Sequence, residues 1–424
     1  MLVVLAMLGT GSTAQSVEVA ELKDMLGITG TARSSFFTKD TSFVDAPGVQ
    51  NDSLWITARP HDIVGIKSYF DARVQGQFVS GNSKISGDLR EGYLEKTLGQ
   101  FDIKVGRQIV VWGRADKINP TDSWSIRNYR LLVTDDDDQR VGAAAAQVVW
   151  NVGAEHVIAI WQPEWRFPVL PIPPLPPGTS LTNLSASKKV DQLGLKFDHS
   201  GAGVDWSVSY AHAINRTPDL ALLDSQSFGI DPGLRPRETK LGLTYNFAEV
   251  FGADAAVPVG KYGLRGEVAY THARNSGGHN PLAQDSNLFA VLGIERTWEG
   301  ALNVNVQYLF KRSFDYRGLD SIADPSVRLL AQQAELISNQ LASNMQGAAL
   351  RVDYKAFNET LETEIAAVMW FKKTDSIVTA KVSYAFTDRI KGILGANVLS
   401  GPTDSFFGRL RRTSTAFFEV RFAL

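Results

Sequence analysis

The residues that could bind a metal ion or catalyse a reaction are few in this chain of 424 residues. Cysteine is absent, which removes thiolate metal sites and covalent haem attachment. The run Asp135 to Asp138 offers the carboxylate oxygens that Ca²⁺ prefers, but adjacent side chains point apart and no glycine-spaced series of ligands follows. We therefore expect these aspartates to lie in a solvated extracellular loop.

The histidines are the next candidates for metal or acid–base chemistry. They show no pair at metal-binding spacing, at His61, His156, His199, His212, His272 and His279. His212 and Ser209 are three residues apart and would lie on opposite faces of a strand, so they do not form a catalytic pair. The sequence predicts no metal, no cofactor and no enzymatic activity.

Composition and the N-terminal residues indicate an exported protein. The formal net charge of -2 gives no basic surface for nucleic acid, and no run of 18 apolar residues exists that could form a membrane-spanning helix. Residues 2–8, LVVLAML, precede small residues up to Ala14, as in a signal peptide. We predict a signal peptide over 1–14, a periplasmic segment over 15–25 and a single domain over 26–424.

Apolar and polar residues alternate through most of that domain. Between 302 and 311, Leu302, Val304, Val306, Tyr308 and Phe310 point one way, and the opposite face is polar except at Leu309. Around Leu241 and Leu243 the opposite face again carries polar or small residues. Two such faces fit a wall between lipid and a wet lumen better than a packed soluble core. The fold class predicted is an all-β transmembrane antiparallel β-barrel with long extracellular loops, integral to the bacterial outer membrane.

The alternation predicts eighteen strands, with sixteen as the alternative. The predicted ranges are 26–36, 49–60, 65–79, 88–97, 100–113, 139–150, 153–162, 188–199, 202–214, 235–247, 260–273, 286–297, 300–312, 345–356, 360–372, 375–386, 389–400 and 413–424. With the N-terminus in the periplasm, most long loops fall on the outer side. Two connections break this sorting, a long periplasmic one near 248–259 and a tight outer one at Lys373 and Thr374.

The last strand carries Phe418, Val420, Phe422 and Leu424 on one face. Such an ending resembles the insertion signal read by the barrel assembly machinery, although the usual last residue is Phe. We expect this strand to pair antiparallel with the first and close the barrel. Aromatic residues near many strand ends, such as Trp150, resemble the girdles of such barrels.

One segment resembles a particular family. It runs Val105-Gly-Arg-Gln-Ile-Val-Val-Trp-Gly113, then Asp116, then Ile118-Asn-Pro-Thr-Asp122. It is similar to a strand and loop of a large, poorly characterised family of porin-like proteobacterial outer-membrane barrels, distantly like the alginate-export and capsule-surface barrels. The resemblance implies transport or surface attachment across the outer membrane and identifies no cargo.

Three loops could control passage. The loop with Trp112, Asn119 and Asp122 either folds into the lumen as a constriction or only fixes the strand ends. The proline-rich segment 163–177 carries Trp165 and Phe167. We expect it to fold against or into the barrel mouth and to admit an apolar solute, the alternative being packing against neighbouring loops. A third loop, 327–345, suggests an amphipathic helix with Leu329, Leu330, Ile337 and Leu341, a candidate lid or plug.

Alternation also predicts which side chains line the lumen. The candidates are charged: Arg73, Lys104, Lys240, Arg265, Glu267, Arg351, Asp353, Lys355, Glu364, Lys381 and Arg421. Lys355 and Glu362 lie opposite each other and are expected to pair across the strands. The excess of cations predicts a modest preference for anions.

The function predicted is an outer-membrane channel for small or amphipathic solutes, including anionic or hydrophobic ones. The alternatives are a barrel for surface polysaccharide export or attachment and, further away, an outer-membrane enzyme. The expected partners are outer-membrane lipid, lipopolysaccharide, the barrel assembly machinery and the transported solute. We predict a monomer, because no strand has an outward face distinctly less apolar than the others.

Overall fold

A computed structural model describes residues 23–41, 43, 48–79, 82–116, 118–173, 179–183, 189–223, 239–275, 277–298 and 301–424. The predicted signal peptide lies outside them. Eighteen strands form one sheet. They are β1 Ile28–Phe37, β2 Val49–Ala58, β3 Ile66–Val79, β4 Asn82–Leu98, β5 Phe101–Gln108, β6 Ala143–Val152, β7 Glu155–Glu164, β8 Lys189–His199, β9 Asp205–Ile214, β10 Phe247–Val259, β11 Tyr262–His272, β12 Asn287–Trp298, β13 Leu302–Ser313, β14 Asn344–Ala356, β15 Leu361–Trp370, β16 Asp375–Thr387, β17 Ile390–Ser400 and β18 Thr415–Ala423.

The sheet closes on itself. Each strand pairs antiparallel with its neighbour in the chain, and β18 pairs antiparallel with β1 from Thr31 opposite Ala423 to Phe37 opposite Phe417. Closure leaves no unpaired strand edge around the wall, which is the condition for a sheet to span a membrane. The predicted count of eighteen and the pairing of the first and last strands are confirmed, and the alternative count of sixteen is wrong.

Side chains alternate between the two faces of the wall. On β13, Val306 and Tyr308 point outward and are exposed, whereas Asn305 and Gln307 point into the barrel and are buried. Phe418, Phe422 and Leu424 are exposed on the outside of the last strand, as predicted. An apolar exterior over a polar interior is the arrangement of an outer-membrane barrel, so the protein is an integral outer-membrane protein.

One predicted strand is wrong. Of the predicted strand 235–247, residues 235–238 lie outside the described ranges, and Thr239–Thr244 forms a small three-stranded sheet with Thr179–Asn183 and Asp219–Leu222; the tenth wall strand is Phe247–Val259. The alternation of Leu241 and Leu243 reflects burial in that loop sheet rather than contact with lipid. Because Phe247–Val259 takes the place of the predicted strand, the number of wall strands remains eighteen. The long periplasmic connection predicted near 248–259 is instead a short turn between Val259 and Tyr262.

The connections differ at the two ends of the barrel. Long outer segments join β5 to β6, β7 to β8, β9 to β10 and β13 to β14, while β15 and β16 meet in the predicted tight outer turn. The helix α1, Pro325–Ser338, confirms the predicted helical loop and begins at Asp324, whose carboxylate accepts from the N–H groups of Ser326 and Val327. No helix in the described ranges is long and apolar enough to span a membrane.

Candidate functional site

The segment 109–142 between β5 and β6, which we call the lumen loop, lies against inward-facing residues on several sides of the barrel. β5 ends at Gln108, five residues before the predicted strand end at Gly113. The Arg114 guanidinium pairs with Asp198 on β8 at 2.8 Å and with Asp254 on β10. Asp116 pairs with Arg351 on β14 at 3.2 Å. The first half of the lumen loop, from residue 109 to the turn at Asp122, therefore contacts three wall strands, β8, β10 and β14.

Glu267 on β11 holds the backbone of this first half. Its carboxylate accepts from the N–H groups of Arg114 and Ala115 at 3.0 Å, and from the N–H and hydroxyl of Thr121 at 2.8 and 2.9 Å. Gly113 has a φ of +98°, and a Cβ there would lie 2.6 Å from the Glu267 oxygens. Only glycine allows this approach. Glu267 is thus a structural acceptor buried under the loop rather than an open pore-lining charge.

Two tryptophans of the lumen loop pack on a glycine of the wall. Trp112 and Trp124 meet edge to face, with ring centres 5.4 Å apart, and both are buried with Val110, Ile160 and neighbouring wall residues. A Cβ on Gly194 of β8 would lie 2.3 Å from Trp124 and 2.9 Å from Trp112. The absence of a side chain at Gly194 therefore lets the loop dock against the wall.

We expect Gly194→Val to displace both tryptophans without opening the barrel. The added side chain overlaps two rings, and overpacking of this kind costs about 1–3 kcal/mol. Tryptophan emission should shift to longer wavelength, and the heat-modifiable mobility of the folded barrel should remain. Gly266→Val is a matched control, because a Cβ there meets nothing closer than 3.5 Å. Equal emission spectra for the two variants would contradict this packing.

The second half of the lumen loop, from the turn at Asp122 to residue 142, lies against three arginines that contact the ring of Trp55. The guanidinium groups of Arg33, Arg73 and Arg90 lie 4.1, 4.8 and 5.0 Å from the ring of Trp55. Arg33 pairs with Asp138 at 2.6 Å, Arg73 donates to the carbonyl of Asp138, and Arg90 donates to the carbonyl of Asp137. These three arginines therefore hold the backbone of the loop as well as the carboxylate of Asp138.

Asp135 joins the same half to β16 and to β18, the strand next to β1 in the closed wall. Its carboxylate lies 2.6 Å from Lys381 Nζ on β16 and 2.7 Å from the Arg421 guanidinium on β18. Burial would raise the pKa of Asp135, but the charges of Arg421 and Lys381 outweigh burial and hold that pKa well below its usual range. The expectation of a solvated acidic run is wrong for Asp135 and Asp138, which pair with wall cations; Asp136 and Asp137 remain exposed.

The turn between the two halves forms as its sequence predicts. The Asp122 N–H donates to the carbonyl of Asn119, and the Asp122 carboxylate accepts from the Ser125 N–H at 3.1 Å. Arg216, from another outer loop, donates to the carbonyls of Ser123 and Trp124. Asn119 and Asp122 therefore shape the loop, and the constriction expected there stays a prediction.

Three solved structures from Pseudomonas aeruginosa share this architecture. OccK8 (OprE) matches with a TM-score of 0.54 and 11% identity over 94% of this chain and 97% of that one. OpdL matches with 0.53 and 11% over 94% and 98%, and OccK5 (OpdH) with 0.52 and 9% over 94% and 98%. The fold is that of outer-membrane porins. No family model matches the chain, and no curated protein matches its sequence. The resemblance to alginate-export and capsule-surface barrels is not shown by these matches and stays a prediction.

Most of the residues predicted to line the lumen lie on inward faces of this porin fold, but most of them form ion pairs. Arg265 pairs with Glu295 at 2.9 Å, and Lys104 with Glu95 at 3.8 Å. Arg351 also contacts Asp353 and Glu364, and Lys381 contacts Glu364. Lys355 lies opposite Glu362 as predicted, yet it pairs with Glu359, while Glu362 pairs with Lys391. The assignment of Lys240 to the pore is wrong, because it belongs to the loop sheet.

The sequence alone does not single out several residues of the site. Arg114 follows the predicted end of a strand, and Asp254 lies in the predicted connection 248–259. Trp55 points inward and is 6% exposed, so it does not belong to the lipid-facing aromatic girdle expected near the strand ends. A signal did exist for Trp55, since the inward alternation of Asn51 and Ser53 continues through it.

The proline-rich segment packs on other outer loops, as far as the structure describes it. Trp165 is buried, with ring centres 5.6 Å from Phe167 and 5.5 Å from Tyr245. Leu170 and Ile172 join a cluster with Leu220, Leu243 and Ile337, while residues 174–177 lie outside the described ranges. The alternative of packing against neighbouring loops therefore accounts for these apolar side chains.

The end of α1 is held at the outer mouth by polar contacts. Gln340 donates to Asp285 at 2.7 Å, and Glu335 accepts from the Tyr316 hydroxyl at 2.7 Å. Lys311 donates to the carbonyls of Ser338 and Asn339. Burial raises the pKa of Asp285 to about 6, against the donors that surround it.

We expect the docking of α1 to become more stable as the pH falls from 7.5 to 5. A carboxyl whose pKa is raised in the folded state binds its proton more tightly there, so protonation near pH 6 favours the docked loop. Limited proteolysis of residues 314–343 should slow at pH 5, and Asp285→Asn should remove that dependence. Glu249→Gln, at the outer end of β10, is the control. Equal dependence in all three proteins would contradict the role of Asp285.

Proposed function

We propose that the protein is a channel that lets small polar solutes cross the outer membrane past the lumen loop. The observation that carries the proposal is the attachment of both halves of this loop to inward-facing charges, at Glu267 and Arg351 on one side and at Lys381, Arg421 and Arg33 on the other. A loop held across the interior narrows the lumen to a fixed size. Fixed charges around the narrowing orient a polar solute.

The ion selectivity of this channel should be weak. The anion preference predicted from the sequence rested on an excess of inward cations. The register adds Glu95, Asp254 and Glu295 to the interior, and most cations are within 4.0 Å of a carboxylate. We therefore propose a small preference for anions. Reversal potentials in a salt gradient test this, and strong selectivity of either sign would contradict it.

A polar solute is favoured over an apolar one. The apolar alternative was motivated by the side chains of the proline-rich segment, and those described are packed on Tyr245, Leu220 and Leu243. The lumen loop presents charged and polar groups to the interior, including Arg114, Asp116 and Asp135. An apolar solute passing there would strip water from these groups without replacing their hydrogen bonds.

Swelling of liposomes that contain the folded full-length protein tests the proposal. We expect a pentose to enter quickly and a trisaccharide slowly, because the loop limits the size of the solute. The Glu267→Ala variant should admit the trisaccharide faster. If neither sugar enters any faster than into protein-free liposomes, the channel proposal is wrong.

A further inference from the structure

The outer connection between β17 and β18 carries three arginines on one short 3-10 segment. Gly408–Thr413 forms this segment and contains Arg409, Arg411 and Arg412, which we call the rim arginines. Residues three apart in a 3-10 helix lie on the same face, so Arg409 and Arg412 share a face. Arg411 and Arg412 are exposed at the outer end of the barrel.

Arg409 is partly buried and forms no ion pair with any residue that the structure describes. Its guanidinium lies 5.4 Å from the ring centre of Phe406, and its Nε is buried with no hydrogen-bond partner. Burial lowers the pKa of Arg409 to about 10, so the side chain stays charged at neutral pH. A charged group with a buried N–H that lacks a partner is costly and calls for an explanation, such as an ion bound in the native membrane.

The nearby Asp375 does not fill that role. Its carboxylate is fully buried and accepts from the Ser405 hydroxyl at 2.6 Å and from the N–H groups of Phe407 and Gly408 at 2.9 Å. Asp375 thus shapes the segment that carries the rim arginines. It acts on Arg409 through its field and forms no ion pair with it.

Two other cations at the outer end have partners. Arg216 is partly buried, and it donates to the carbonyls of Ser123 and Trp124 and lies 4.8 Å from the ring of Trp165. Lys373, in the neighbouring outer turn, pairs with Asp404 at 2.6 Å. The rim arginines differ from both, because no described carboxylate or carbonyl takes their side-chain donors.

We propose that the rim arginines bind a phosphoryl anion at the outer mouth. A planar guanidinium donates two parallel hydrogen bonds to two phosphate oxygens, and two arginines on one face repel each other until an anion lies between them. The phosphate could belong to lipopolysaccharide in the outer leaflet or to a solute arriving at the mouth. Both sources share the chemistry that the site recognises.

Two measurements on the folded full-length protein test the proposal and separate the sources. Titration with inorganic phosphate, followed by ³¹P line broadening, reports a site for free phosphate. Native mass spectrometry reports lipopolysaccharide that stays bound after extraction. We expect at least one ligand to bind the wild type, and Arg409→Gln with Arg412→Gln to weaken that binding by roughly tenfold or more, because each substitution removes hydrogen bonds between charged groups. Arg389→Gln, at an exposed periplasmic turn, should bind as the wild type does.

The variant Arg411→Gln with Arg412→Gln changes only exposed side chains and should fold even if Arg409 supports the segment. Loss of lipopolysaccharide alone assigns the site to lipid, and loss of phosphate alone assigns it to a solute. No binding of either ligand by the wild type, or equal binding by wild type and both double variants, would overturn the proposal. Channel activity plays no part in these readouts, so the channel proposal stands or falls separately.

Discussion

Replacing Glu267 by alanine should detach the first half of the lumen loop and raise the single-channel conductance several-fold. The change removes the acceptor of three backbone N–H groups and one hydroxyl. Each hydrogen bond to a charged acceptor contributes about 1.5–3 kcal/mol, so the loss is large compared with the free energy that orders a loop. The barrel itself should persist, because the wall hydrogen bonds of β11 are unchanged.

Two further variants make the result specific. Glu267→Gln keeps one acceptor oxygen and should give an intermediate conductance. Glu295→Ala removes a neighbouring inward carboxylate whose partners, Arg265 and Asn305, belong to the wall, and it should change conductance much less. If Glu267→Ala and Glu295→Ala behave alike, then Glu267 does not hold the loop.

Replacing Asp135 by asparagine should release the second half of the loop, make the current noisier and shift selectivity towards anions. Lys381 and Arg421 would lose the carboxylate that they share. Removing one partner of a fully buried ion pair costs about 3–5 kcal/mol, and the cost here is smaller because the Asp135 side chain is 36% exposed. Asp137→Asn is the control, since its side chain is 80% exposed and an exposed pair contributes little.

The pH dependence of this contact follows from the low pKa of Asp135. A carboxyl whose folded pKa is depressed stabilises the docked loop at pH values above its ordinary pKa, and that stabilisation disappears only as the pH falls through the folded value. The Asp135 contact should therefore contribute no change in wild-type selectivity from pH 8 to pH 5. A change of selectivity within that range that is absent from Asp135→Asn would show that Asp135 titrates there, contrary to this account.

The strands of the wall could be predicted from the sequence because one face of each strand meets lipid and the other meets water. Lipid outside and water inside impose alternation on every strand, and in β13 the pattern from Leu302 to Lys311 places each side chain on the face that the structure shows. The prediction failed at β10, where small residues such as Ala253 and Ala255 face outward, so the difference in hydrophobicity between its two faces is small. The stronger alternation of Leu241 and Leu243 came from a loop sheet.

The site was less predictable because its contacts join residues far apart in the chain. The motif around Trp112 and Asp122 indicated a structured loop, and a local turn signal located its bend. Nothing local shows that Glu267, 146 residues after Thr121, accepts hydrogen bonds from that loop. The acidic run was assigned to solvent for the same reason, since its partners Arg33, Lys381 and Arg421 come from both ends of the chain.

Single-channel recording from the folded full-length protein in planar bilayers tests the central claim most directly. We predict discrete steps of steady conductance in the wild type and larger, noisier steps after Glu267→Ala, because Glu267 holds the lumen loop against the wall. A correctly folded, heat-modifiable wild type that inserts into the bilayer and passes no current, together with an equally silent Glu267→Ala variant, would contradict the claim that this barrel is a channel.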